Sequence, residues 1–361
     1  MQVLCAKNAH VYLLGDDLDK GRRALREVQE AVPKAVVDFF ECDLGSLRSV
    51  RTFAEAYKAL GAPLHVLALN AGSFLWPYRK TPDGFERTIA TNYLGHFLLA
   101  HLLLPELQAA PPSRIVWQGS AFEQLGVLNW ADLGGEFARD SDLWQYANSK
   151  LMSLMAACEM ACRLKGTGVD VFACHPGLVT TPLYNRTSPE KPGSWLFSAG
   201  ARLFGQSASR GAASLIYAAA ASELDGKGGG YFGPPYFGPL CGNILNCSPL
   251  IPINFAAHSA DRCHRLYEET AHLLEQKTGQ RPLPNKLPTA YRQALFRPIT
   301  VVVPDRQLMM ENMLMAEGFV TAKNLSKKFA ALYYLLEDLL SPAKHYGEFR
   351  IDWALVMRID T

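Results

Sequence analysis

The stretch Leu64-His65-Val66-Leu67-Ala68-Leu69-Asn70-Ala71-Gly72 decides how this chain is read. A short apolar run stops at a turn of Asn, Ala and Gly, the pattern of a strand buried on both faces that ends at a tight polar bend. Outward from it, His10–Leu14, Val36–Phe40, Arg114–Gln118 and Asp170–His175 have the same texture. Between these runs lie helical stretches at Asp19–Val32, Ser46–Leu60, about Asp83–Gln108, Ser141–Lys165 and Arg210–Ser222. Ser46 sits where a hydroxyl can cap a helix. Repeated strand–helix units predict an α/β fold with a doubly wound parallel sheet covered on both faces.

In such a sheet ligands bind beyond the carboxyl ends of the strands. Those places hold Asp16, Asp43, Asn70 with Gly72, Ser120, and Pro176 with Gly177. Each alone has a plain explanation, since Asp, Asn and Gly favour turns. Together they point to a ligand crevice.

Bulk properties narrow the field. With 49% hydrophobic and 19% charged residues in 361, the chain can bury a large core and is not a disordered sequence. A net charge of +2 leaves no electrostatic footprint for nucleic acid. The eight cysteines include no Cys-x-x-Cys pair, so neither a metal site nor a secreted disulfide framework is expected. Cys158 and Cys162 read as small buried thiols on one helix. Neither a signal peptide nor a transmembrane segment stands out, and the expected location is the cytoplasm, with peripheral membrane contact allowed.

Tyr146 and Lys150 are one helical turn apart and share a face. A neighbouring ammonium favours the phenolate of a tyrosine, and the protonated phenol can donate to a developing alkoxide. Such a pair is common by chance, and its context decides its meaning. That context is Cys42-Asp43-Leu44, Asn70-Ala71-Gly72, Thr91-Asn92-Tyr93-Leu94-Gly95-His96-Phe97, Gly119-Ser120, Tyr146-Ala147-Asn148-Ser149-Lys150 and His175-Pro176-Gly177. In this order the segments resemble the short-chain dehydrogenase/reductase family, with the texture of its retinol-dehydrogenase and WW-domain-oxidoreductase branch. The resemblance covers about residues 1–275.

The resemblance implies roles for individual residues. Tyr146 is the expected general acid/base. Lys150 lowers its pKa and holds the nicotinamide ribose. Ser120 bonds the substrate oxygen, and Asn92 anchors a water relay behind Lys150; the plainer alternative for Asn92 is a polar residue inside a helix. Asp43 and Leu44 border the adenine, and Asn70, Ala71 and Gly72 steady the sheet beside the adenosine. Pro176, Gly177 and Thr181 wrap the nicotinamide. The cofactor is NAD or NADP. Asp16 favours NAD, because a carboxylate at that strand end bonds the ribose and repels a 2′-phosphate. The apolar stretch Leu183–Phe204 matches the family's substrate lid and suggests a lipophilic ligand, with ordinary helix burial as the alternative. A homodimer is a candidate assembly.

Two features depart from the family. Its Thr-Gly-x-x-x-Gly-x-Gly turn, which brings backbone amides to a pyrophosphate at a helix N-terminus, has no match here. The expectation is a Rossmann-like sheet lacking its first strand, with an interior gap and weak cofactor affinity, as in a truncated coding sequence. Beyond a proline-punctuated linker at 276–294 lies a tail segment, 295–361; residues 279–346 resemble part of a dynein heavy chain motor, through Leu295-Phe296-Arg297-Pro298, Val302-Val303-Pro304-Asp305 and Ser341-Pro342-Ala343-Lys344-His345-Tyr346, and the resemblance runs out after Tyr346. This tail is expected to be a small, mainly helical appendage, with helices near Arg306–Glu317 and Ala322–Leu340. It has no phosphate-binding loop, so ATP hydrolysis is not expected. The leading function is hydride transfer between NAD(P) and an alcohol or carbonyl. The alternative is a non-catalytic dehydrogenase relic that acts as an interaction protein.

Overall fold

The computed structural model describes residues 1–74, 78–137, 142–177, 179, 205, 207–234, 248–250, 252, 254–279, 350–351 and 354–359. The strands are β1 (Ala9–Gly15), β2 (Val37–Glu41), β3 (Val66–Leu69), β4 (Gly72–Ser73), β5 (Ser113–Gln118), β6 (Val169–Cys174), β7 (Tyr231–Gly233), β8 (Ser248–Pro249), β9 (Arg350–Ile351) and β10 (Ala354–Ile359). The helices used below are α1 (Gln2–Ala6), α2 (Leu18–Ala31), α3 (Leu47–Ala59), α4 (Gly95–Leu102), α5 (Asp142–Arg163), α6 (Ala213–Ala220) and α7 (Ala260–Thr278).

The main sheet runs β2-β1-β10-β3-β5-β6-β7-β8. Pairs β1–β2, β3–β5, β5–β6 and β6–β7 are parallel, as the strand–helix repeat predicts. Alternate residues serve two cores. Val11, Leu13, Val66, Ala68, Val116 and Phe172 face α1, α2 and α6. Tyr12, Leu14, Leu67, Leu69, Ile115 and Trp117 face α3, α4, α5 and α7. Burial on both faces is why these strands read as unbroken apolar runs. The caps are local: Asp17 accepts from the Lys20 amide at 3.0 Å, and Ser46 from the Ser49 amide at 3.4 Å.

The centre of the sheet corrects one expectation. The unpaired gap expected beside β1 is filled by β10, which runs antiparallel to both neighbours. Tyr12 faces Val356 and Leu67 faces the same residue, so the backbone groups of β1 and β3 find partners. The tail therefore contributes one strand, β10, to the main sheet and a second, β9, that pairs antiparallel with β4 apart from it, and the helices expected near 306–317 and 322–340 lie outside the described residues. The long helix expected over Asp83–Gln108 is also divided. It comprises a turn at Arg87–Ile89, a π-helical segment Ala90–Leu94, α4, and a short helix Leu104–Gln108 with Pro105 at its start.

Candidate active site

The carboxyl ends of β3, β5 and β6 open onto a cavity of about 270 Å³. Asn70, Gly72, Ser120, Tyr146, Lys150, Pro176 and Gly177, all singled out in the sequence, line it. Helix α5 presents Tyr146 half-buried at the cavity and Lys150 buried behind it. The Lys150 Nζ donates to the Gln118 carbonyl at 3.0 Å and lies 5.7 Å from the centre of the Tyr146 ring. Burial lowers the Lys150 ammonium to about 8. Burial pushes the Tyr146 phenol up to about 12, with the Glu123 charge adding to the rise and a hydrogen bond with Ser120 opposing it. Without a bound cofactor, then, both groups hold their protons at neutral pH apart from a minor neutral fraction of Lys150.

Ser120 lies two residues past β5 and caps the 3₁₀ turn Ala121–Leu125, accepting from the Phe122 amide at 3.3 Å. The rings of Phe74 and Phe122 pack on Tyr146 at 4.6 and 5.8 Å between centres. Phe74, with Val179, Ala212 and Leu215, gives the cavity an apolar wall. Gly177 takes a φ of +69°, a conformation that costs a side chain-bearing residue strain, and so turns the chain tightly around the cavity.

Asn92 lies in the π-helical segment and does not line the cavity. Its Oδ1 accepts from the Ser73 amide at 2.7 Å, and its Nδ2 donates to the Ser73 carbonyl at 2.9 Å and to the Ser149 hydroxyl at 3.0 Å. It thereby ties β4 to α5. A Cβ on Gly72 would stand 3.2 Å from Asn92 Oδ1 and 3.5 Å from Lys150 Nζ, so the bare glycine leaves room for both polar heads.

Four other predicted residues stand apart from the cavity lining. Asp43 accepts from the Gly45 amide at 2.8 Å and faces Arg87 at 3.7 Å. Leu44 and Ala71 are buried, and Asp16 is half-buried just past β1. Thr181 and the stretch Leu183–Phe204 lie outside the described residues. Sequence reasoning missed Ser73, Phe74, Gln118 and Ser149. Ser73 and Phe74 directly follow the Asn70-Ala71-Gly72 turn, and Gln118 ends β5, so position alone could have flagged these three.

These residues fit one half of a nicotinamide dinucleotide. A buried lysine beside a phenol, with glycines at the cavity edge, suits the nicotinamide and its ribose. The pyrophosphate half does not fit in the family's way. The slot between β1 and β3 holds an antiparallel strand, so no parallel strand there delivers a glycine turn and helix N-terminus.

Fold and cavity together define a nicotinamide-type dehydrogenase. The profile of the short chain dehydrogenase family matches residues 1–192, and the chain belongs to that family. It is 42% identical to the polyprenol dehydrogenase of Danio rerio over 235 residues, 63% of this chain and 71% of that one. Retinol dehydrogenase 11 of Homo sapiens is 38% identical over 229 residues, 63% of this chain and 70% of the relative. A crystal structure of an uncharacterized protein from Mycobacterium paratuberculosis superposes with a TM-score of 0.59 at 29% identity, over 78% of this chain and 89% of that one. A second profile, described as the hydrolytic ATP binding site of the dynein motor region, matches residues 271–356. The chain is thus an NAD(P)-dependent oxidoreductase of the retinol dehydrogenase branch that carries a dynein-like segment.

Proposed function

We propose that this chain interconverts an alcohol and a carbonyl on a lipophilic substrate, with Tyr146 as general acid/base and NAD as the preferred partner. The observation that carries the reading is the convergence of Tyr146, Ser120 and Lys150 on one cavity with an apolar wall. The dinucleotide, when bound, supplies or accepts the hydride. In the reducing direction the carbonyl carbon gains a hydride, and the Tyr146 hydroxyl gives its proton to the oxygen as negative charge develops there. Ser120 holds that oxygen, and the Lys150 ammonium then stabilises the phenolate left behind. Asn92 positions Lys150 through β4 and Ser149; a water relay from it remains part of the proposal.

Asp16, Asp43, Leu44, Asn70, Ala71 and Gly72 would border the adenosine, and Pro176, Gly177 and Thr181 the nicotinamide. Asp16 supports NAD, since a carboxylate repels a 2′-phosphate. The lipophilic substrate draws support from the Phe74 and Leu215 wall and from relatives named for retinol and polyprenol. No helix among the described residues is long and apolar enough to cross a membrane. We take the protein to be cytoplasmic and to meet its substrate at a membrane surface, with 1–275 as the dehydrogenase unit, 276–294 as linker and 295–361 as the motor-like segment. Comparing turnover of a long-chain aldehyde with NADH and with NADPH tests the reading; a strong NADPH preference overturns the role given to Asp16.

A second reading, a non-catalytic interaction protein, is favoured by one observation. An antiparallel β10 holds the sheet position next to which the family binds pyrophosphate. Calorimetric titration with NADH separates the two: micromolar binding supports the enzyme, and no binding supports the relic.

A further inference from the structure

One polar side chain of the cavity has no task in the reaction described above. Gln118 closes β5 and stands directly across from Cys174, which closes β6. Both side chains lie on the face of the sheet that Val116 and Phe172, two residues back on each strand, turn toward α6. Tyr146 and Lys150 come from α5, on the opposite face.

Both oxygens of Gln118 are engaged. Cys174 is fully buried, and its thiol donates to Gln118 Oε1 at 3.1 Å. The Gln118 backbone carbonyl accepts from Lys150 Nζ at 3.0 Å. The side-chain nitrogen differs. Nε2 has no hydrogen-bond partner among the described residues, yet it is not sealed away from open space. The residue lines the cavity, so these two N–H donors are offered to whatever fills it. The thiol decides which end of the amide faces inward. Turning the amide over would replace the S–H···O bond with a contact to sulfur, a weak acceptor, and would present an oxygen to the cavity instead.

The neighbouring wall tells which ligand group these donors meet. Pro176, Gly177, Ala212 and Leu215 offer no side-chain donor of their own. The reacting oxygen of the substrate is claimed by Tyr146 and Ser120. The acceptor left for Gln118 is therefore on the cofactor, and the nicotinamide carries one in its carboxamide oxygen. We propose that Gln118 holds the nicotinamide carboxamide through Nε2, and that the Cys174 thiol is a positioning residue that sets the amide the right way round. Because the same residue bonds Lys150 through its backbone, one strand end then places both the ring and the lysine. This deepens the dehydrogenase reading and rests on it, adding a side chain to the segment Pro176–Thr181 that the sequence assigns to the nicotinamide.

Calorimetric titration of the full chain with NADH and with ADP-ribose, which lacks the nicotinamide, tests the inference without turnover. Gln118→Met keeps the length of the side chain and removes the donor. It is expected to weaken NADH binding about tenfold, the worth of one hydrogen bond, and to leave ADP-ribose unchanged. Cys174→Ala lets the amide turn over and is expected to weaken NADH about threefold, whereas Cys174→Ser keeps a donor and is expected to bind as wild type does. That pair decides the matter if Gln118→Met does not fold. NADH affinity unchanged in Gln118→Met, an equal loss for ADP-ribose, or no recovery in Cys174→Ser overturns the inference and leaves the dehydrogenase reading standing. A wild-type chain that does not bind NADH overturns both.

Discussion

Replacing Asn92 with alanine tests whether this residue is a structural clamp before it is anything else. The side chain bonds both the amide and the carbonyl of Ser73, which is 1% exposed. In Asn92→Ala these two backbone groups lose their side-chain partner with little access to water. An orphaned buried polar group costs about 1–3 kcal/mol, so the pair should cost roughly 3 kcal/mol even after relaxation. For a domain of this size that is a fall in Tm of roughly 6–10 °C. Asn92→Asp is the informative partner, because it keeps the acceptor for the Ser73 amide and sets a carboxylate against the Ser73 carbonyl. It should lose at least as much. Thermal unfolding followed by circular dichroism reads both. A change in Asn92→Ala below about 0.5 kcal/mol, the range of ordinary surface substitutions, would refute the clamp and leave a purely catalytic role.

Three further outcomes follow from the packing. Lys150 has a lower proton affinity folded than unfolded, so the unfolded chain binds more protons between about 8 and 10.5, and this group makes stability rise with pH across that window. Lys150→Met should therefore melt no lower than wild type at pH 7, and its relative advantage should shrink toward pH 10.5; a clear loss of Tm at pH 7 would contradict this. Arg114 is buried and donates to the Ala218 and Ala221 carbonyls at 3.1 and 2.6 Å and to Asp225 at 2.6 Å. Arg114→Met should cost about 2–4 kcal/mol by urea unfolding, and Asp225→Asn under about 1 kcal/mol, because the half-exposed carboxylate is the dispensable partner. Deleting residues 350–361 should speed amide hydrogen exchange in Val11–Leu14 and Val66–Leu69, the strands that β10 separates; unchanged exchange would show that β10 does not hold the sheet together.

Much of the fold was legible in the sequence because its strands are buried on both faces and end at polar turns. The run from Leu64 to Gly72 carries that signal in nine residues. The cavity lining was legible for the same reason: each strand end falls at a residue type suited to a ligand. What was not legible depends on partners distant in sequence. Glu123 and Tyr231 are separated by 108 positions, and nothing local in either segment predicts their hydrogen bond. No strand was expected at Ala354–Ile359, and only pairing on both sides makes this segment a central strand. The π-helical segment around Asn92 was hidden inside a continuous helical pattern, since helical periodicity does not report one extra residue in a turn.

The central claim is that Tyr146 and Lys150 carry out proton transfer coupled to hydride transfer in this chain. The direct measurement is steady-state oxidation of NADH by a long-chain aldehyde, for the full chain and for Tyr146→Phe. The account predicts measurable turnover in the former and a fall in kcat of about 100-fold or more in the latter, the lower range of general acid–base contributions. Equal rates in the two proteins, or no turnover in either, would contradict it.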